Sequence, residues 1–592
     1  MKRYLHSPLI LVLGCAILAP YILSEYHLSL LNYIGLYSIV ALGLILMTGV
    51  GGLTSFGQAA FVGIGAYTTA VMTTSLGFSP WSGLVYGMLI TGLVATVLGL
   101  LTLRLSGHYL PIGTLAWGLS IYYLFGSVPM FGGASGISHL PPIAIGSWRI
   151  NSSEDFGLLI WMIVGVVMWL LSNLLNSREG RAIRALFGGS IMAESMGVNT
   201  SRFKMLIFIY AALLASISGW LYAHMQRFVN PSPFSINMGI EYLFMALLGG
   251  ANTLGGAVVG AVTVTGLKEW LQSVLPMLFG QSGNFEAIFF GALIVVCLMY
   301  ARQGIWPAVI SRVPFLQPRK AMPKLSSSDA GKLLERAPLK RGEPMLSAQN
   351  ITKKFGGLVA NNKMDMTLKA GQIVALIGPN GAGKSTFFNL LSGLLPLTEG
   401  QIEFLGQRID GLSPRKIARL GISRTFQHVR LIPTMSVLEN VALGAHMRGH
   451  AGFIRSSLHL ERQEENALLA EAARQIERVG LAKYAHEAAG NLALGQQRII
   501  EIARALCTDP YLLLLDEPAA GLRHLEKEAL AELLERLRKE GITVLMVEHD
   551  MDFLMGLADY VYVMESGQKL AQGTAREVQQ NPKVLAAYLG GE

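Results

Sequence analysis

The chain has 592 residues, of which 52% are apolar and 14% charged, against about 25% charged in ordinary soluble domains. Residues 1–300 carry 11 Lys/Arg and 8 Asp/Glu while the remaining 292 carry 66 charged residues, so an apolar, membrane-type half precedes a half of soluble composition. A wholly soluble enzyme, a disulfide scaffold (Cys15, Cys297 and Cys507 are far apart) and a disordered chain are excluded, and the net charge of +9 suits an anionic membrane surface and is no sign of nucleic acid.

Met1-Lys2-Arg3 leads into the apolar run Pro8–Leu23. It reads as a first span rather than a cleaved signal, because further apolar segments follow at once. Val12-Leu13-Gly14-Cys15 approaches a lipoprotein cleavage site, which is the weaker reading. The next expected spans are Leu30–Val50, Phe56–Leu76, Trp81–Leu103, Tyr109–Val128 and Phe156–Leu175, followed by Met205–Ala223 and Phe285–Tyr300. Most are near the ~20 residues that cross a hydrocarbon core. Ile240–Trp270 is also apolar but is broken by Gly249-Gly250 and Gly255-Gly256.

Charge sets the orientation. The loop Asn176–Lys204 carries Arg178, Arg181, Arg184, Arg202 and Lys204, whereas the loops near 130–155 and 225–239 carry one Arg each. Basic loops stay inside. Six spans bring an inside N-terminus back inside at Asn176, and the basic tail after Tyr300 requires an even number of crossings between them. Ile240–Trp270 must then enter and return on one side, or make two short spans, with its turn at the paired glycines. Closely spaced glycines elsewhere in the spans, such as Gly87, Gly92 and Gly99, signal helix packing. Charges within the spans are scarce, and Glu241 and Glu286 read as interfacial. Residues 303–343, with Pro307, Pro314, Pro318, Pro323, Pro338 and Ser326-Ser327-Ser328, have linker composition.

In the soluble half the short strand Gln372–Ile377 runs into Gly378-Pro379-Asn380-Gly381-Ala382-Gly383-Lys384-Ser385-Thr386 and a helix through Leu391. Strand, glycine loop, Lys-Ser and helix is the context of a phosphate-binding loop. Its backbone N–H groups and helix N-terminus favour phosphates, Lys384 reaches the β- and γ-phosphates of ATP, and Ser385 can ligate Mg²⁺. Leu512-Leu513-Leu514-Leu515 ends in Asp516 and Glu517, as a buried parallel strand delivering carboxylates to one sheet edge does. Asp516 would hold Mg²⁺ through water, and Glu517 would polarise the attacking water as general base. A third strand, Thr543–Val547, brings His549 to the same edge, where it could touch the γ-phosphate.

With these motifs in view, residues 345–592 resemble an ATP-binding-cassette ATPase. Gln427, in Ser423-Arg424-Thr425-Phe426-Gln427, matches that family's Q-loop and is implied as a metal contact and a member of the catalytic set. Phe355 matches the aromatic that stacks on adenine, and Leu492, Ala493, Leu494, Gly495 and Gln496 stand where the signature motif belongs. The stretches around Gly378, Arg424–Leu431 and Val547–Met551 resemble the ATPase of branched-chain amino acid importers. The first half resembles the permease of the same system through Gly52–Phe61 and Asn176–Ala185. In that likeness Ala193, Glu194, Ser195, Met196 and Gly197 form the coupling loop, a short helix docked in an ATPase groove.

The resemblance implies a polytopic α-helical membrane domain (residues 1–302), a linker (303–343) and an α/β P-loop ATPase domain (344–592). It implies an ATP-driven importer in the bacterial cytoplasmic membrane, in contact with membrane lipid, moving branched-chain amino acids or a similar small polar solute. Its partners would be a second permease, a second ATPase and an extracytoplasmic solute-binding protein. A urea or amide importer would look similar, and an exporter is the remaining alternative in this class. Two positions depart from the pattern: Ala493 stands where the signature has Ser, with Leu494 beside it, and Arg523 stands where Asp or Asn is usual. Both positions serve the ATP held by the partner subunit.

Overall fold

The computed structural model describes residues 22–103, 109–279, 303–313 and 333–589, together with Gly14 and the pairs 291–292, 295–296 and 299–300. The chain forms two compact units, one of Met1–Asn176 and Ser201–Pro323, the other of Ser177–Thr200 and Lys324–Glu592. The expected span Pro8–Leu23 lies outside the described residues but for Gly14, Ile22 and Leu23, as do most of Phe285–Tyr300 and linker residues 314–332.

The apolar runs fold as helices, which satisfy every backbone group within the segment, as lipid requires. In chain order the helices up to Phe279 are α1 (Glu25–Leu44), α2 (Gln58–Thr74), α3 (Pro80–Thr102), α4 (Tyr109–Ser127), α5 (Ser153–Leu175), the two short helices of the basic loop, α6 (Arg178–Phe187) and α7 (Ser190–Ser195), then α8 (Thr200–Gln226), α9 (Ile236–Gly250) and α10 (Leu254–Phe279). Helix α1 continues as a wider π-turn over Ile45–Val50. Among the described residues Glu25–Val50, α3, α5 and α8 are long and apolar enough to cross a membrane, and α9 with α10, bent by 120°, makes a fifth crossing if counted as one. Helices α2 and α4 have 17 and 19 residues, about 26–29 Å at 1.5 Å per residue.

The α9–α10 turn falls at Ala251–Thr253, between the two glycine pairs. There the arms touch backbone to backbone: a Cβ on Gly260 would lie 1.7 Å from the Met245 carbonyl oxygen. The turn sits at the end of the first unit that also holds Gly49, where a Cβ would lie 1.6 Å from the Ala251 oxygen. The loops expected outside gather at the other end. Ile137–Ser138 pairs with Phe228–Val229, Arg227 donates to Asn151 at 2.6 Å, and the Tyr26 hydroxyl donates to Glu269 at 2.6 Å. Helix α9 begins at Ile236, so Glu241 lies in its second turn, where it pairs with Lys268 of α10 at 2.8 Å. The charge is matched across a bend of the chain, which its position on a single helix does not reveal.

The second unit is built on two sheets. Its strands are β1 (Pro344–Phe355), β2 (Leu358–Lys369), β3 (Ile373–Ile377), β4 (Glu399–Phe404), β5 (Gln407–Arg408), β6 (Ile422–Arg424), β7 (Leu512–Asp516), β8 (Thr543–Val547), β9 (Tyr560–Glu565) and β10 (Gln568–Gly573). The larger sheet runs β6-β7-β8-β3-β9-β10, parallel except for the last pair, and the smaller, antiparallel one runs β2-β1-β4-β5. Alternate residues of the central strands feed opposite cores. Val374, Leu376, Leu512, Leu514, Leu545 and Val547 face one cluster, while Ile373, Ala375, Ile377, Leu513, Leu515, Val544 and Met546 face the other. Both faces are covered, so these strands read as unbroken apolar runs. Register places Val547 beside both Asp516 and Leu376, which brings the ends of β7, β8 and β3 to one edge.

Candidate nucleotide site

Strand β3 leaves the core at Gly378, whose φ is +149° and where a Cβ would lie 2.1 Å from the Met564 oxygen. The loop ends at Gly383, φ +95°, against the Ala360 oxygen, and Asn361 of β2 donates to the Gly383 carbonyl at 3.2 Å. Both positions therefore demand glycine. Helix α11 (Lys384–Leu391) follows at once, with its N-terminal N–H groups directed at the loop. The Lys384 ammonium donates to the carbonyls of Gly378 at 2.7 Å and Pro379 at 2.9 Å. Burial lowers its pKa, opposed by the charges of Glu517 and Asp516. Ser385 is exposed in the first turn and Thr386 is half-buried. Pro379, Asn380, Gly381 and Ala382 complete the loop, and Gly381 has open space around it, φ +80°. Phe355 is 45% exposed at the tip of the β1–β2 hairpin, as an aromatic available for stacking must be, with Lys353 Nζ 4.9 Å from its ring centre.

At the end of β7 the buried Asp516 accepts from Arg424 Nη2 at 3.2 Å. Burial raises the Asp516 pKa, and Arg424 counters it. Its second oxygen, Oδ1, is buried with no hydrogen-bond partner among the described residues. A buried acceptor left open beside a phosphate loop suits a hydrated divalent cation. The residues present therefore fit Mg²⁺: Asp516 offers an open oxygen, and Ser385 and Gln427 carry side-chain oxygens that would serve as further donors. Glu517 adopts φ +49°, the left-handed region a non-glycine residue seldom occupies. Its N–H donates to the Val547 oxygen at 2.9 Å, and Arg498 donates to its carbonyl at 2.7 Å. Its carboxylate accepts from Gln427 Nε2 at 3.1 Å and stands 3.5 Å from His549 Nε2. The edge thus gathers Gln427, Glu517 and His549 from three separate segments.

Sequence reasoning did not single out three of the supporting groups. Arg424 also donates to Asn389 Oδ1 at 2.6 Å and to Ser392 Oγ at 2.8 Å, tying β6 to α11 beneath the loop. Arg498 spans the carbonyls of Glu517 and Gln427, the latter at 3.3 Å. Glu548 is buried, its pKa raised by that burial, and it accepts from the Ala519 N–H at 2.6 Å and the His549 N–H at 3.1 Å. Charged residues at strand ends were the available signal for Arg424 and Glu548. Arg498 had none.

The segment in the signature's place leads into the helix that carries Arg498. Leu492 is buried, Ala493 is exposed as N-cap of α12 (Leu494–Leu506), and Leu494 is 55% exposed. Gln496 Oε1 accepts from the Ala493 N–H at 3.2 Å, but Ala493 has no side-chain oxygen to return the bond. Gly495 is buried, with room for a Cβ only 2.9 Å from Glu526 Oε2.

Ser177–Thr200 packs into this same unit as α6 and α7. Met192, Ala193 and Met196 are fully buried, Ser195 is nearly so, and Glu194 accepts from Thr200 Oγ1 at 2.6 Å. Gly197, φ +82°, abuts Met447, whose Cγ would lie 1.9 Å from a Cβ there. Arg181 forms a buried ion pair with Glu465, including a 3.0 Å contact to Oε2, and Arg184 meets Glu439 at 3.2 Å.

Comparison with known proteins places these features in context. Residues 26–298 match the family described as branched-chain amino acid transport system / permease component. Residues 361–520 match the ABC transporter family, and residues 568–592 match the branched-chain amino acid ATP-binding cassette transporter family. Among characterised relatives, the high-affinity branched-chain amino acid transport ATP-binding protein LivG of Escherichia coli K12 is 44% identical over 251 residues, 42% of this chain and 98% of the relative. The corresponding BraF of Pseudomonas aeruginosa is 43% identical over 250 residues, again 42% and 98%. A crystal structure of a nucleotide-free ATP-binding cassette from an ABC transporter is 32% identical, covering 41% of this chain and 98% of its own, with a TM-score of 0.38.

Proposed function

The chain belongs to the ATP-binding-cassette transporters of the branched-chain amino acid type, with a permease half fused ahead of its own ATPase, and on that premise we propose that it imports branched-chain amino acids across the bacterial cytoplasmic membrane. The observation that carries the reading is the presence, in one chain, of a permease and an ATPase that both match the same transport system. The chain is a membrane protein that hydrolyses ATP to drive transport, with its ATPase in the cytoplasm.

In this reading the loop Gly378–Thr386 holds the ATP phosphates, and Lys384 turns from the loop carbonyls to the β- and γ-oxygens. Phe355 stacks on the adenine. Ser385, Asp516 and Gln427 hold Mg²⁺, which when bound neutralises phosphate charge. Glu517 takes a proton from the attacking water, and His549 contacts the γ-phosphate. Arg424, Arg498 and Glu548 position these groups through the bonds described above. Ala493 and Leu494 face the nucleotide of a second ATPase, which with a second permease and an extracytoplasmic solute-binding protein completes the transporter. The docked segment around Ala193–Gly197 carries closure of the two ATPases to the membrane helices.

The test is ATP turnover by the assembled complex in proteoliposomes. Solute-binding protein loaded with leucine stimulates it, and a urea-loaded binding protein does not. Stimulation by urea alone would refute the amino-acid reading.

A further inference from the structure

The first unit contains a cavity of about 220 Å³ that is lined by charge. Glu241 of α9 and Lys268 of α10 meet in it at 2.8 Å, with side chains 22% and 43% exposed. Glu269 beside them accepts from the Tyr26 hydroxyl at 2.6 Å. Charged residues are scarce in these apolar helices, and three of them gather around this one cavity toward the end where the loops expected outside lie. Thr265, 8% exposed, is among its lining residues, and its Oγ1, buried behind that surface, has no hydrogen-bond partner among the described residues.

The wall opposite is aromatic. Tyr37 borders the charged cavity and also a smaller pocket of about 30 Å³ bounded by Tyr222, Phe234, Met238 and Tyr242. The rings pack edge to face: Tyr37 lies 5.6 Å from Tyr242, and Tyr222 lies 5.8 Å from Phe234. A site with a cation and two carboxylates on one side and an apolar, aromatic pocket on the other has the polarity of a neutral zwitterion with a hydrocarbon tail.

We propose that the Glu241–Lys268 cavity is a substrate site of the permease half, taking an α-amino acid as its zwitterion with the apolar side chain across Tyr37. This inference rests on the amino-acid import reading and deepens it. The solute carboxylate takes Lys268, and its ammonium takes Glu241 and Glu269. One ion pair is exchanged for two, so no charge is left buried alone. Thr265, whose buried hydroxyl turns about χ1 into the cavity, supplies a further donor to the carboxylate. A neutral amide or urea offers no charge to replace the broken pair, so the cavity discriminates against it. The net charge of the three ionised groups is −1, which disfavours anionic solutes.

The experiment uses the whole complex, with the second permease, second ATPase and leucine-loaded binding protein, in proteoliposomes. It reads leucine imported per ATP hydrolysed, a ratio that loss of folded protein does not move. Lys268→Met and Glu241→Gln are each expected to lower that ratio about 10-fold or more, as loss of one charge-assisted hydrogen bond does. Lys268→Arg retains most of it, and the exchange Glu241→Lys with Lys268→Glu recovers part. Thr265→Val keeps shape and charge, is the variant least able to disturb assembly, and is expected to lower the ratio several-fold. An unchanged ratio in Thr265→Val and in whichever charge variants assemble would overturn the site. Wild-type complex that hydrolyses ATP but accumulates no leucine would instead refute the import reading, and this site with it.

Discussion

Gln427 Nε2 donates to Oε1 of Glu517 at 3.1 Å, so the carboxylate at the end of β7 is already engaged by the segment that follows β6. The bond links the proposed metal contact to the proposed general base. Glu517→Gln removes the base but keeps the shape and an acceptor for Gln427, so nucleotide still binds while hydrolysis falls about 10²–10⁴-fold. In cassette dimers each ATP lies between one subunit's phosphate loop and the other's signature. In the proposed arrangement this chain brings the phosphate loop, Asp516, Glu517 and His549 to one ATP, and to the partner's ATP it brings Ala493, which has no hydroxyl. Losing one transition-state donor costs about 10²–10³ in rate. Glu517→Gln here is therefore expected to stop nearly all turnover, and the matching change in a partner with an intact signature leaves a substantial fraction. Ala493→Ser raises turnover at the weaker site. Single-turnover hydrolysis in the two mixed complexes decides it, and equal losses with no response to Ala493→Ser would contradict the asymmetry.

Lys384→Ala removes the ammonium now held by the Gly378 and Pro379 carbonyls. Nucleotide affinity is expected to fall by about 10-fold or more, as when a charge-assisted bond is lost, and ATP-dependent uptake is abolished while membrane insertion persists. Equilibrium binding of a fluorescent nucleotide, together with uptake in vesicles, checks both. Wild-type uptake would remove the phosphate-loop assignment.

Much of this site is visible in the sequence because its chemistry is local. A strand, a glycine loop, Lys384 and a helix are contiguous, and Asp516 and Glu517 close an unbroken run of leucines. Arg424 and Glu548 act through partners far along the chain, Asp516 and Ala519 respectively, and no local pattern announces those bonds. The same limit hid the Glu241–Lys268 pair. Its members are 27 positions apart on the arms of a bent helix pair, and each alone looks like an interfacial charge. The bend itself was legible, because paired glycines on both sides of Ala251–Thr253 permit the backbone contact that the turn needs.

The topology has its own test. Arg227 bonds Asn151, Gln226 bonds Tyr33 and Glu269 bonds Tyr26, so the segments after α8 and around the end of α10 share one end of the first unit. Single cysteines placed in 224–239 and 270–285 are expected to react with an impermeant maleimide from the extracytoplasmic side. Labelling of only one segment from that side would mean that α9 and α10 form a single crossing.

Arg181 and Glu465 form a buried ion pair that fixes α6 in the second unit, with side chains 3% and 8% exposed. Removing one member of such a pair strands the other and costs about 3–5 kcal/mol. Arg181→Ala is expected to uncouple the transporter, lowering uptake much more than ATP hydrolysis, and the exchange Arg181→Glu with Glu465→Arg restores part of the uptake. Parallel loss of both activities would assign the pair to folding alone.

ATP hydrolysed at Glu517 is proposed to drive branched-chain amino acid import, and this is measured most directly as accumulation of labelled leucine by proteoliposomes holding the complete complex and its binding protein. Accumulation against a gradient is expected with ATP, and its loss is expected in Glu517→Gln. Leucine uptake that persists in Glu517→Gln, or ATP turnover with no leucine accumulation in the wild type, would contradict it.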